Sequence, residues 1–200
     1  MQAVQNPLKT EKVSKLLRTF AIPSIIAMLV SALYNIVDQV FIGWSIGALG
    51  NAATNVAFPL TTICIAIALM FGIGGASAFN LTMGEGDAKR AAFYVGNAIS
   101  MLVICGVVLC IVAHLFLTPM LRFFGSTQDI LGYARTYTAI TAFGFPFLIL
   151  ATGGGHLIRA DGSPRFTMTC NLVGAIINLI LDPIFIFGFH WGMAGAALAT

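Results

Sequence analysis

Charged positions are spaced so far apart along this chain that they divide it into long apolar blocks. Residues 19–37, 51–82, 91–121, 136–158 and 166–181 contain no Asp, Glu, Lys or Arg. About 20 apolar residues carry a helix across the hydrocarbon of a bilayer. Allowing for apolar pattern beyond the uncharged cores, five spans are expected near 17–42, 52–82, 91–116, 136–158 and 166–188. A sixth begins near 192 and is cut short at Thr200, so the sequence reads as part of a longer chain. The first block exceeds the apolar core of about 7–15 residues in a signal peptide, and no small-residue cleavage site follows it. It is expected to stay as a helix.

Composition narrows the class. Hydrophobic residues make up 58% and charged residues 8% of the 200, and the mean hydropathy is +0.95. Too little polar surface exists to coat a water-soluble domain, whose charged share is about a quarter. The four cysteines, Cys64, Cys105, Cys110 and Cys170, lie in apolar runs without paired spacing, which argues against a disulfide scaffold. A net charge of +3 with no aromatic interleaving of the bases argues against nucleic acid as a partner. The expected class is an all-α integral membrane protein surrounded by lipid. Lys9, Lys12, Lys15, Arg18, Lys89, Arg90, Arg159 and Arg165 fall on one side if the spans alternate, and only Arg122 and Arg135 fall on the other. Positive charge favours the cytoplasmic side. Residues 1–15 are therefore expected to be a cytoplasmic segment ahead of a bundle over 16–200, multi-pass in the cell (inner) membrane.

Gly84-Glu85-Gly86-Asp87 and Asp161-Gly162-Ser163-Pro164 punctuate the loops. Pro23, Pro59, Pro146 and Pro183 lie within spans, where each removes a backbone donor and can bend its helix. Pro23 and Pro183 are the hinge candidates. Gly72-Ile-Gly74-Gly75 and Gly153-Gly154-Gly155 match no phosphate loop and are expected to serve close helix packing or a hinge. His114, His156 and His190 share no ligand spacing.

Five of the seven acids fall in loops or the N-terminal segment; Asp38 and Asp182 do not. A carboxylate in hydrocarbon costs roughly 2.5–3.5 kcal/mol on insertion scales, so it faces a bundle interior or wet cavity and has a partner. Asn35 precedes Asp38 by three residues and Asn178 precedes Asp182 by four, spacings that place amide and acid on one helix face. No Lys or Arg within a span neutralises either acid. Such a carboxyl can exchange protons, or hold Na⁺ when ionised, as a cation-coupled carrier requires. A purely structural hydrogen-bonding role for each acid is the alternative.

The two regions also resemble each other. Asn35, Asp38, Phe41 and Gly43 are followed by Gly47, Gly50 and Thr54. Asn178, Asp182, Phe185 and Gly188 are followed by Gly192, Gly195 and Thr200. The glycine spacing, plus four then plus three, is the same. Internal repeats mark transporter folds, although shared turn chemistry or GxxxG-type helix packing gives similar patterns.

Leu33-Tyr34-Asn35-Ile36-Val37-Asp38-Gln39-Val40-Phe41-Ile42-Gly43 resembles the first-helix motif of the MATE (multidrug and toxic compound extrusion) family. Gly72 to Ser77 with Gly84-Glu85-Gly86-Asp87 is similar to that family as well. So are Gly162-Ser163-Pro164, Asn178 through Asp182-Pro183 to Gly188, and Gly195-Ala-Ala-Leu-Ala-Thr200. The resemblance runs from about residue 16 onward. It implies the N-terminal six-helix lobe of a twelve-helix transporter, with the sixth helix truncated. It further implies antiport, in which H⁺ or Na⁺ enters as an organic cation leaves, with no cofactor and with the chain's own C-terminal lobe as partner. Asp38, Asn178 and Asp182 match the family's N-lobe cation site, where Na⁺ would be held. Tyr137 and Thr200 are candidates to complete it, beside Asn35 from the residue reading. Two other functions compete. A lipid-linked-sugar flippase of the same superfamily would place Arg residues in its cavity, and none lies mid-span here. An intramembrane aspartyl protease would show YD and GxGD, and neither acid sits in such a motif. The expected protein is a carrier rather than an enzyme.

Overall fold

The computed structural model describes residues 13–200. The assignment of 1–15 as a cytoplasmic segment, with Lys9 and Lys12, falls largely outside the described residues. Among those described, the chain is helical and without strands. The helices are α1 (Val13–Ser45), α2 (Ala48–Glu85), α3 (Ala88–Leu115), α4 (Leu117–Phe123), α5 (Gln128–Ala160), α6 (Pro164–Pro183) and α7 (Gly192–Ala199). A π-helical turn, Ile184–Gly188, continues α6. Five helices are long and apolar enough to cross a membrane: α1, α2, α3, α5, and α6 with its π turn.

These helices run several residues past the apolar spans at most ends, because polar residues at the borders still satisfy their backbone groups inside the helix. The termini are set by local chemistry. Gly86, at φ 87, closes α2, and the Asp87 carboxylate then accepts from Arg90 N–H at 3.0 Å to start α3. Pro164 opens α6, where a missing N–H costs nothing. The short α4 is absent from the apolar pattern. It folds because Leu121, fully buried, docks among Ile42, Ala53, Ala134, Ile186 and Met193 at one end of the bundle.

Helices α2, α3 and α5 form the densest part of the lobe, around Leu60, Cys64, Ala68, Leu102, Ala142, Phe145 and Ile149. Small residues set their spacing. A Cβ on Gly72 would lie 2.7 Å from the Gly153 Cα, and one on Gly106 would lie 2.7 Å from the Pro146 Cα. The glycine clusters therefore divide by face: Gly72, Gly75 and Gly153 meet neighbouring helices, while Gly74 and Gly154 face open space. With lipid tails as apolar as the side chains, such backbone approach is what holds membrane helices together.

Helices α1 and α6 form the second part. Phe41 and Phe187 pack edge to face at 6.0 Å where the two helices approach their ends. Helix α1 runs unbroken through the buried Pro23. At Pro183 the outcome differs, since α-helix gives way to the π turn there. Phe189 N–H donates to Ile184 C=O at 2.9 Å, a span of five residues, and Trp191 N–H donates to Phe185 C=O at 3.1 Å.

The internal repeat is structural as well as sequential. Gly47 and Gly192 both take positive φ, 82 and 51, at the turn into the next helix. Gly50 and Gly195 both lie against the end of the preceding helix: a Cβ would meet Ile46 Cβ at 2.8 Å in one and Phe185 O at 2.8 Å in the other. Asp38 and Gly43 are five positions apart, Asp182 and Gly188 six. The π turn lies within the longer interval, and a π turn holds one residue more than an α turn. The extra residue is absorbed there, which leaves the glycines of the second copy in matching places.

Candidate functional site: two buried acids and a cavity

The acids come from the two halves of the repeat. Asp38 is buried on α1, and Asp182, only 1% exposed, lies two residues before the π turn on α6. Packing of α1 against α6 brings them close enough for each charge to act on the other. Tyr137 of α5 stands beside both. Its hydroxyl shares a hydrogen bond with Thr200, and Asp38, Tyr34 and Asp182 all lie within electrostatic reach. Asn178 donates from Nδ2 to the Ala199 carbonyl at 3.0 Å, which ties α6 to the end of α7. Thr200 donates to the Ala196 carbonyl at 3.0 Å. The structure thus gathers Asp38, Asn178, Asp182, Tyr137 and Thr200 into one region, from four elements of the fold.

The pairing of each acid with the amide on its own helix face is not what forms. Asn35 is exposed and turns back to donate to the Ser31 carbonyl at 2.8 Å. Asn178 spends its donor on Ala199. In both cases a backbone carbonyl is the stronger competitor, because carbonyls at helix ends and one turn back accept without a second side chain having to be ordered. The amide nearest Asp38 is its sequence neighbour Gln39, whose Nε2 donates to Asp38 Oδ2 at 3.5 Å. Gln39 Oε1 in turn accepts from Thr54 of α2 at 3.1 Å.

What remains around the acids is a set of unused acceptors. Asp38 Oδ1, Asn178 Oδ1 and both carboxyl oxygens of Asp182 are buried without a hydrogen-bond partner. All four are oxygens, the donor type that a proton or a hard cation such as Na⁺ requires. Among the described residues, no group of three or more His, Cys, Asp or Glu could hold a metal ion. The set fits Na⁺ through one amide and two carboxyl groups, not a transition metal.

A cavity of about 1030 Å³ opens beside this set. Tyr34, Asn35, Asp38, Gln39, Asn51, Thr54, Asn55, Tyr137 and Thr200 give it a polar wall, and Phe58, Phe145, Leu148 and Trp44 an apolar one. Among the described residues that line it, Asp38 alone is charged. Asp182 and Asn178 are buried and do not line the cavity. Sequence reasoning missed Gln39, Asn51, Thr54 and Asn55. Their signal was present: Asn51, Thr54 and Asn55 are three and four apart, one polar face at the start of an apolar span.

Known proteins share this architecture. The chain is 28% identical over 186 residues to the multidrug export protein MepA of Staphylococcus haemolyticus, covering 93% of this chain and 41% of that protein. It is 29% identical over 188 residues to MepA of Staphylococcus aureus (strain MRSA252), covering 94% and 42%. Among solved structures, that of the MATE multidrug transporter DinF-BH superposes with a TM-score of 0.92 at 37% identity, over 100% of this chain and 44% of that one. The outward-facing conformation of a multidrug resistance MATE family transporter gives 0.86 at 28%, over 92% and 41%. The chain thus spans about two-fifths of the length of these relatives, which are transporters rather than enzymes. The MatE family model matches residues 23–184, most of the chain, and the chain belongs to that family.

Proposed function

We propose that this chain forms the N-terminal lobe of a cation-coupled multidrug antiporter, which exports organic cations in exchange for H⁺ or Na⁺. The observation that carries the reading is the cavity: drug-sized, walled by aromatic and amide groups, with one carboxyl, Asp38, as its charge. A carboxylate in low dielectric attracts a cation strongly. When Asp38 takes up a proton, or when Na⁺ sits among Asp38, Asn178 and Asp182, that attraction is removed. Drug and coupling ion then compete for one charge, which is the requirement for exchange. Asp182 serves from its buried position, since the carboxyl that shares its surroundings makes two negative charges there costly and one bound cation favourable. Each tenfold difference in ion affinity between outward- and inward-open states supplies about 1.4 kcal/mol of coupling.

The same wall disfavours a lipid-linked-sugar flippase. A pyrophosphate headgroup needs Arg or Lys, and among the described residues the cavity lining holds neither. The membrane is the cell membrane and the N-terminus cytoplasmic, on the distribution of Lys and Arg between loops.

The test uses the full-length transporter in proteoliposomes. Asp38→Asn is expected to weaken binding of a fluorescent organic cation by about tenfold or more and to abolish its dependence on pH and Na⁺. In the unsubstituted protein, binding should fall as pH falls, because the proton displaces the cation. Normal, still-coupled efflux in both Asp38→Asn and Asp182→Asn would defeat the assignment. Tighter binding of a lipid pyrophosphate than of organic cations would favour the flippase.

A further inference from the structure

The wall of the cavity has a gap in it. Six residues of α5 line this space: Tyr137, Ile140, Thr141, Gly144, Phe145 and Leu148. Their spacing of three and four is that of one helix face. Five of them bring side chains. Gly144 brings none, and a Cβ built on it would meet nothing within 4 Å. The other glycine in the lining, Gly43, has no such room, since a Cβ there would stand 3.0 Å from Asn51 Nδ2. Gly144 therefore leaves a notch, bounded one turn away on either side by Ile140 and Leu148. Those two positions are eight residues apart, about 12 Å along the helix axis.

The notch has a set place relative to the charge. Tyr137, within electrostatic reach of Asp38, precedes Gly144 by seven residues, about 10 Å along α5. Helix α2 supplies a ring in that interval. As the second and fourth of the five membrane-length helices, α2 and α5 run the same way, and Gly72 lies against Gly153. Fourteen residues back along each, Phe58 comes level with Ala139. Phe58 lines the cavity and is 63% exposed, so an aromatic face stands between the level of the acid and the notch.

We infer that Gly144 sets the shape of the substrate: the cavity takes cations whose charged head lies about 10 Å from a flat apolar body, and the edge of that body enters the notch. This deepens the proposed function and rests on its reading of Asp38 as the partner of the cation. Backbone without a Cβ lets a flat ring approach the helix more closely than a side chain would allow. Ile140 and Leu148 then cover its edges, and the apolar area removed from water favours binding. A side chain at position 144 would fill the same volume, so it competes with the flat body and not with the charged head. A compact cation, which has no body to insert, is indifferent to that position.

Binding to the full-length transporter in lipid nanodiscs tests the inference with two probes. One is 4-(1-pyrenyl)butyl-trimethylammonium, read by its fluorescence; the other is tetraethylammonium, read by displacement of the first. Gly144→Ala, Gly144→Val and Gly144→Leu are expected to weaken the pyrenyl cation in steps, by about tenfold or more at Leu. The ratio of the two affinities should fall by the same factor, because the compact cation is held at Asp38. Melting temperatures should match that of the unsubstituted protein, since the added atoms meet no protein. Asp38→Asn is the control and should weaken both probes. If both probes depend on Asp38 but Gly144→Leu leaves their ratio unchanged, the notch is overturned and the antiport reading stands. If Gly144→Leu lowers the melting temperature and weakens both probes alike, other parts of the transporter fill the space, which also overturns the notch. If neither probe loses affinity in Asp38→Asn, the reading of the cavity falls and the notch with it.

Discussion

At the scale of single residues, the two span acids do different work. Asp38 lines the cavity, whereas Asp182 is buried and does not. A hydrophilic carbodiimide should label Asp38 several-fold faster than Asp182, as read by peptide mass spectrometry; equal labelling would mean that Asp182 is reached from the cavity. Asn178 has two ends with separate partners to consider, its N–H and its Oδ1. Its spacing from Asp182 puts both on one face, but its side-chain N–H goes to the end of α7. Asn178→Ala removes the side-chain link between α6 and α7, a loss of about 1 kcal/mol, visible as a lower unfolding temperature in detergent. A destabilisation independent of Na⁺ would separate this tie from ion binding, whereas loss of a Na⁺-induced stabilisation reports the free Asn178 Oδ1. Asp38 and Asp182 stood out in the sequence because an acid in an apolar block has few explanations. Gln39 did not, because an amide beside an acid is unremarkable until Thr54 arrives from fifteen residues away.

At the scale of elements, the long helices were legible and the short ones were not. Charge-free blocks longer than a bilayer have one solution, since unpaired backbone groups are intolerable in lipid. Helix α4 has seven residues and forms through the docking of Leu121, which no local pattern announces. The π turn was legible only as an acid-to-glycine interval one residue longer from Asp182 to Gly188 than from Asp38 to Gly43. Gly192→Ala places a side chain at φ 51, and the left-handed conformation costs about 1–2 kcal/mol for such a residue. The same change at Gly74, where φ is helical and the space open, is expected to be nearly neutral; matched thermal melts distinguish them. Pro183→Ala restores an N–H at the α-to-π junction. If that junction bends during transport, the substitution shifts the balance of inward- and outward-open states, measurable as a change in spin-label distances between α6 and a fixed helix. An unchanged distance distribution would remove Pro183 from the list of hinges.

At the scale of the whole molecule, the lobe is a close pack of α2, α3 and α5 with a second pair, α1 and α6, beside it, and α1, α2, α5 and α7 enclose the cavity. The close pack depends on backbone approach at Gly72, Gly153 and Gly106. Gly153→Leu would drive side-chain atoms into Leu102 and the Ala68 carbonyl. Overpacking of this kind costs about 1–3 kcal/mol or more. The variant should unfold at lower temperature while Leu102→Ala, in the same background, recovers part of the loss by opening the space. Helix α1 presents many large apolar side chains outward, among them Met28, Leu29, Leu33 and Ile36, as suits a helix facing lipid or further membrane helices.

The sequence alone determined the membrane class, the positions of the long helices, the two acids set within them and the repeat that contains them. Those properties depend on solvent: water and hydrocarbon sort residues by polarity and length, and the sorting is readable in one dimension. Which atoms meet was decided only by tertiary structure. Hydrogen bonds are short-ranged and directional, so a shift of one residue or one helix turn reassigns every partner. The cavity wall, the tie from Asn178 to α7 and the link from Gln39 to Thr54 therefore exist only once α1, α2, α5, α6 and α7 are packed together.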